Sequence, residues 1–459
     1  MTQNSDPSSL MLPVEPAPDD IWTKLVAAFL RHDRATPSLL ANLIDNHPDD
    51  AIGPLVKGYM LLMLARRELR VGATDALAEG RRRLFLSPDP RAGHYASGLA
   101  AWLGGNPRGA IAAMERVIGD NPMDAMAVKI SHAIRFMLGD ADGMRRSLAR
   151  VVSVYTENQP HAGFIKGCYA FALEETGEYE EAEKIGRKAV ELEASDAWGR
   201  HAVAHVFEMT GRASEGLAWL SDEKQWDHCN NFAFHLHWHI GLFHLELGQA
   251  SEALRLYDQA IRAERTDDFR DIANATSMLQ RIELEGISVG NRWDELADLA
   301  EGRVADRQLV FADLHYLMAL LGAGRFSSAE TLVRGLLSAS GDGLNGDLSS
   351  KIGAPLAAGL IAFRAGRMGE AVSLLEPIRQ IMHQIGGSHA QRDVFEQIYV
   401  EALVRSGAAG AKPALTNRRS SRGGQNRFAE RRLSLALGTS ARGALAVEAL
   451  SLTPMLQSH

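Results

Sequence analysis

The 459-residue chain is 46% hydrophobic and 23% charged, a core-forming composition that excludes a generally disordered or collagenous protein. Its 49 Lys and Arg against 57 Asp and Glu give a formal charge of −8, which argues against dedicated nucleic-acid binding. Two cysteines, Cys168 and Cys229, cannot form a disulfide framework or by themselves a Cys-type zinc site. No apolar run approaches the roughly 18 residues of a membrane span, so a cytoplasmic protein without a membrane segment is expected.

Residues 1–20, MTQNSDPSSLMLPVEPAPDD, are rich in Pro, Ser and Asp and read as a disordered N-terminal tail without a secretory signal. From 21 to 90 the pattern is helical (IWTKLVAAFL, PSLLANLI, VKGYMLLMLARREL), and these helices are expected to cap the first repeat. Residues 91–407 carry an internal repeat. A turn glycine is followed five positions later by a small residue: Gly105/Ala110, Gly177/Ala182, Gly211/Gly216, Gly248/Ala253, Gly324/Ala329 and Gly366/Ala371, with weaker members at Gly139/Met144 and Gly290/Glu295. The glycines lie 34, 38, 34, 37, 42, 34 and 42 residues apart, the period of a helix–turn–helix unit of about 34 residues with insertions. Glycine takes the left-handed cap after the first helix, and the small residue lets the second helix pack closely. One such pair cannot bury its apolar face alone, so the predicted fold is all-α, a solenoid of stacked helix pairs. Residues 408–459 open with AAGAKPALTNRRSSRGGQN. They read as a basic, Gly/Ser/Arg-rich tail in which FAERRLSLAL adds at most one short helix.

The repeat resembles the tetratricopeptide repeat. In HWHIGLFHLELGQASEALRLYDQAI, Gly241, Ala253, Tyr257 and Ala260 stand at that family's signature positions, while Gly216 departs from the usual alanine. The resemblance implies that the first helix of each unit lines a concave groove.

Sixteen histidines are spread along the chain, yet seven fall between His201 and His244. His201 and His205 are four apart and share one helix face, as do His235 and His239 in the next unit. On the tetratricopeptide register, Trp198, His201, His205, Glu208 and His235 face the groove, with His239 near its edge and Trp238 and Phe171 offering stacking area. His237 and His244 point inward, and His237 takes the family's packing-Trp position. Packed helices lie about 8–10 Å apart, so imidazoles of adjacent units can share one divalent ion such as zinc, bound at about 2.0–2.1 Å. Glu208, Asp267, Asp268 and Asp271 are candidate additional oxygen ligands, with Glu208 alternatively a general base. A polar groove that recognises a peptide or carboxylate would also account for the histidines, as would simple packing. The spacing matches no compact zinc motif, and Walker, Gly-x-Ser-x-Gly and His-Glu-x-x-His signatures are absent. In GGSHAQRDVF, His389, Arg392 and Asp393 suggest a helix cap with a surface ion pair, or an anion site.

Three longer stretches, YAFALEETGEYEEAEKIGRKAVEL, DAWGRHAVAHVFEMTGRASEG and NFAFHLHWHIGLFHLELG, together with GGSHAQRDVF, resemble the tetratricopeptide repeat protein 38 family over about residues 20–405. The resemblance implies an all-helical repeat protein with a site shared at Trp198, His201, His205 and His239. It carries no enzyme activity with it. It also implies a further regular helical pair beyond Gly407, where the sequence departs from the family. The function expected first is a cytoplasmic interaction protein that binds a peptide or partner protein in a His-lined groove. The alternative is a metal-dependent or general-base hydrolase acting on a small molecule at the same cluster.

Overall fold

The computed structural model describes residues 20–339 and 343–434, and its regular structure there is helical. Among these residues the β-type contact is one isolated bridge between Asp33 and Cys229. Four helices come first: Ile21–Leu30, Thr36–Asn46, Ile52–Met63 and Leu69–Leu86. From Pro90 onward the helices pair across short turns. Among the pairs are Pro90–Leu103 with Pro107–Asp120, Ala162–Glu174 with Tyr179–Leu192, Ala197–Met209 with Ala213–Trp219, Phe232–Glu246 with Ala250–Leu256, and Phe269–Leu284 with Arg292–Glu301. Residues 1–19 and 435–459 lie outside the described residues, so the expectations for most of the N-terminal tail and for the end of the chain fall there.

Local chemistry fixes the helix starts. Asp89, Asn106, Asp124, Asp140 and Asp196 each accept a backbone N–H of the first turn that no helical carbonyl could satisfy. At the pair turns Gly105, Gly177, Gly211, Gly248, Gly324 and Gly366 all have positive φ, from 72° to 85°. The small residues five positions on are buried: Ala110, Ala182, Ala253, Ala329 and Ala371 are at most 2% exposed. Gly216 has its own reason to depart from alanine. A Cβ there would lie 2.3 Å from Cζ of Phe243, whose ring fills the space between the helices.

The solenoid closes on itself. Arg303 pairs with Glu68 at 2.5 Å and with Asp267 at 2.6 Å, and Arg66 also pairs with Asp267, joining the N-terminal helices to the Phe269–Leu284 and Arg292–Glu301 pair. The helix His389–Ser406 packs against Phe269–Leu284, Ala354–Arg364 and Met368–Leu375. It is capped by Ser388 and Gln391 in a reciprocal capping box. Its first backbone N–H donates to Glu175 (2.7 Å), and its Ala390 carbonyl accepts from Arg281 (2.7 Å).

The segment after Gly407 corrects the expectation of a flexible basic tail. Ala411–Ser421 is a helix, and residues 427–434 are helical again. Arg418, Arg422 and Arg432 are buried rather than part of a solvated patch, while Arg419, Arg427 and Arg431 stay exposed. Arg418 makes two bonds to Asp393 (2.6 and 2.8 Å), Arg422 reaches Asp393 at 3.0 Å, and Arg432 pairs with Glu401 at 2.5 Å. Asp393, expected in a surface pair, is therefore buried. Gly211 marks where this segment docks: a Cβ there would lie 2.7 Å from the Arg422 carbonyl.

Candidate metal centre

Two consecutive first helices carry the histidines. Ala197–Met209 presents His201 and His205 one turn apart, and Phe232–Glu246 presents His235 and His239 in the same way. The four imidazoles converge. One nitrogen from each lies within 4.8 Å of the others. His201 Nε2 is 2.9 Å from His235 Nε2 and 2.9 Å from His205 Nε2. A tetrahedral ion with bonds of about 2.0–2.1 Å sets its nitrogens roughly 3.3 Å apart, so a small outward shift admits one.

The opposite edges of the rings meet acceptors. His205 Nδ1 faces Glu174 Oε2 at 3.4 Å, His239 Nδ1 faces Glu208 Oε2 at 3.5 Å, and His235 Nδ1 lies 3.0 Å from Asn274 Oδ1. Asn274 at His235 Nδ1 holds a proton there and leaves that ring's Nε2 lone pair facing inward, the arrangement usual behind metal-bound histidines, while Glu174 and Glu208 stand near the His205 and His239 Nδ1 atoms without a hydrogen bond to them. Glu208 therefore stands behind His239 rather than among the four converging nitrogens.

Electrostatics favour the neutral ring at three of the four histidines. Burial pushes His201, His235 and His239 well below the ordinary imidazole range, with the other imidazoles adding to the effect. Burial acts the same way on His205, but Glu174, helped by Glu175 and Glu208, raises it instead. Glu174 is itself raised by its burial, against the pull of His205.

The cluster does not line an open groove. His201, His205 and His239 are at most 1% exposed and His235 is 9% exposed. Trp238 is buried, stacks on His235 at 5.2 Å and donates from Nε1 to Ser277 Oγ (3.0 Å), so it offers no anchor to a peptide. Trp198 and Phe171 are also buried and form a wall beside His201, with ring centroids 5.0 and 5.4 Å away. The three aspartates are held elsewhere: Asp267 by Arg66 and Arg303, Asp268 by Arg270, and Asp271 by Asn231 and Thr266. His237 packs edge-on to Trp226 at 4.7 Å, and His244, expected inward, is half-exposed beside Gln249.

Glu174, Asn274, His32, Lys129 and His132 are invisible to histidine spacing. Glu174 has one usable signal in the sequence. It precedes its turn glycine Gly177 by three positions, as Glu208 precedes Gly211. His32 comes from the turn after the first helix, where its φ is +60°, and its ring lies on Trp198 (5.4 Å) and Phe232 (4.3 Å).

No protein-family pattern matches the chain. Among solved structures it is similar to the human IFIT1 dimer with m7Gppp-AAAA, at 15% identity and a TM-score of 0.41, with 92% of this chain and 96% of that one covered. A second similarity is to Naa15/Naa10 bound to HypK-THB, at 13% identity and a TM-score of 0.25, covering 95% and 68%.

Proposed function

We propose that this tetratricopeptide-like solenoid binds one divalent metal ion, zinc foremost, through His201, His205, His235 and His239, and uses it at an enclosed small-molecule site. The observation that carries the proposal is the double contact of His201 Nε2 with His235 and His205 Nε2, at 2.9 Å each, while Glu174, Glu208 and Asn274 stand behind the rings. At 2.9 Å these ring nitrogens share N–H···N hydrogen bonds, and a cation bound among them takes the place of the bridging protons. Four neutral nitrogen donors suit zinc, copper, iron or nickel rather than calcium or magnesium. The two carboxylates behind them offset the ion's charge in a buried setting.

A tetrahedral ion held by four imidazoles has no open position, so a Lewis-acid role, and with it the metal-dependent hydrolase, requires expansion to five-coordination to admit a substrate. Recognition of a partner protein, the common use of helical solenoids, then falls to outer surfaces away from the histidines. The resemblance to the tetratricopeptide repeat protein 38 family agrees with this, since it points to a site shared by Trp198, His201, His205 and His239. A reducing cytoplasm suits the two free thiols, Cys168 and Cys229.

The test is zinc titration followed by thermal melting. An ion bound only by the native state stabilises it by about 2.7 kcal/mol at a free concentration 100 times its Kd. The His201→Ala, His205→Ala double variant is expected to keep its fold and lose that rise. A full rise in the variant contradicts the site.

A further inference from the structure

A crevice opens where the two ends of the solenoid meet. Its volume is about 570 Å³, within the roughly 300–1,000 Å³ of small-molecule sites. One wall comes from the N-terminal third of the chain: Arg67 and Arg70 around the start of Leu69–Leu86, Trp102 near the end of Pro90–Leu103, and Ile134 and Met137 on Ala125–Met137. The other comes from residues 305–310, part of 344–348, and Ile385. The walls are joined beside the opening. Arg70 Nη1 donates across it to Gln308 Oε1 at 3.3 Å. A Cβ on Gly139 would collide with the His383 carbonyl, and one on Gly386 with the Met137 carbonyl, so the two backbones abut there.

The lining combines apolar surface with one sign of unpaired charge. Ile134, Met137, Leu309, Val310 and Ile385 supply the apolar part, and Trp102 is half-buried among them. Asp306 is the only acid in the lining, and it is buried and pairs with Arg303 at 3.4 Å. Arg67, Arg70 and Arg307 line the same space, and none of them ion-pairs with a carboxylate among the described residues. The side-chain bonds of Arg70 go to Gln308 and to the Leu103 carbonyl (2.5 Å), and that of Arg307 goes to Ser338 Oγ (3.4 Å). Arg307 is held in place at a cost. Its φ is +48°, a strained conformation for a residue with a side chain and one that clusters at functional sites. Its guanidinium lies against Gly335, where a Cβ would come within 2.7 Å of Nε, so a larger residue there would displace it.

We propose that this crevice binds an organic anion with an apolar body. A carboxylate or phosphate end lies among Arg67, Arg70 and Arg307, and the body lies against Trp102, Met137 and Leu309. Guanidinium forks match either anionic end, and removing the body from water adds affinity in proportion to the area covered. The crevice shares no lining residue with the histidine cluster, so this proposal is independent of the metal assignment.

The test is calorimetric titration of the full chain with decanoate and with decyl phosphate, each below its micelle-forming concentration. Saturable binding of at least one of them, at one site per chain, is expected, and the tighter of the two identifies the anionic end. Acetate and inorganic phosphate lack the apolar body, and decyltrimethylammonium carries the opposite charge. All three are expected to bind at least about tenfold more weakly than the better decyl anion. The Arg67→Gln, Arg307→Gln double variant is expected to weaken that anion about tenfold or more through lost charge-assisted bonds. Its melting temperature should be unchanged, since neither guanidinium is in an ion pair among the described residues. Arg67→Gln alone, at an exposed position, weakens binding in the same direction and serves if the double variant folds poorly. No saturable binding of either decyl anion overturns the site, as does binding that the variants leave unaltered. Equal affinity for decyltrimethylammonium overturns the anionic end, and equal affinity for acetate or inorganic phosphate overturns the apolar body. Each of these results leaves the histidine centre untouched.

Discussion

Glu208 touches His239 with one carboxylate oxygen and Arg422 with the other. Oε2 lies 3.5 Å from His239 Nδ1, and Oε1 lies 3.6 Å from Arg422 Nη1. Arg422 in turn reaches Asp393, which Arg418 holds with two bonds. The C-terminal segment is thus tied by charge to a proposed metal ligand. A small cavity of about 50 Å³ lies among Glu208, Arg281, Asp393 and Arg422.

Glu208→Gln tests the first link. The amide can still face His239 but carries no charge to offset the ion. Metal affinity is expected to fall about 10–100-fold with the fold retained, as read by competition against a coloured zinc chelator. Unchanged affinity would remove Glu208 from the site.

Arg418→Met tests the second. Asp393 is buried, and although burial pushes it up, Arg418 and Arg422 hold it well below the usual carboxylate range. Removing one partner of a buried ion pair costs about 3–5 kcal/mol. A large drop in the denaturation midpoint is expected, and deletion of residues 408–459 is expected to destabilise at least as strongly. A melting curve untouched by the deletion would restore the picture of a dispensable tail.

Acid should unfold the metal-free protein through its buried imidazoles. His201, His235 and His239 titrate below their unfolded value of 6.5, so the unfolded chain binds more protons as pH falls through 6.5. Stability therefore declines as pH drops below about 6.5, toward the lowered native values. His205, raised by Glu174, has the opposite sign: its contribution is present below 6.5 and is lost as pH rises through its native value. Three groups against one give a net loss in acid. Melting temperatures recorded from about pH 7.5 to about pH 5 check the sign, and zinc should be released over the same range because protons compete for the ring nitrogens.

Ala253→Leu probes the repeat register. Ala253 is fully buried where the second helix meets the first, and the added carbons should overpack the pair at a cost of about 1–3 kcal/mol. An unaltered unfolding midpoint would place that residue off the packing face.

Much of this was legible in the chain. Gly105, Gly177 and Gly211 mark turns because only glycine takes their backbone cheaply, and the spacing of His201/His205 and His235/His239 reads directly as two neighbouring helix faces. What encloses the cluster was not legible. His32 arrives from 169 residues before His201, and the helix that packs on Phe269–Leu284 begins at His389. Nothing local encodes such contacts. The arginines after Lys412 read as a solvated tail because their partners, Asp393, Glu208, Glu285 and Glu401, lie in other helices or at their ends. Glycine and serine around them also imitate a linker.

The most direct measurement is X-ray absorption at the zinc edge on the purified protein after zinc loading and removal of excess metal. One zinc per chain with four nitrogen neighbours at about 2.0–2.1 Å, reduced in the His201→Ala, His205→Ala variant, is the predicted result. Zinc that is absent, or bound through oxygen or sulfur and unaffected by the double variant, would contradict the assignment of His201, His205, His235 and His239 as a metal centre.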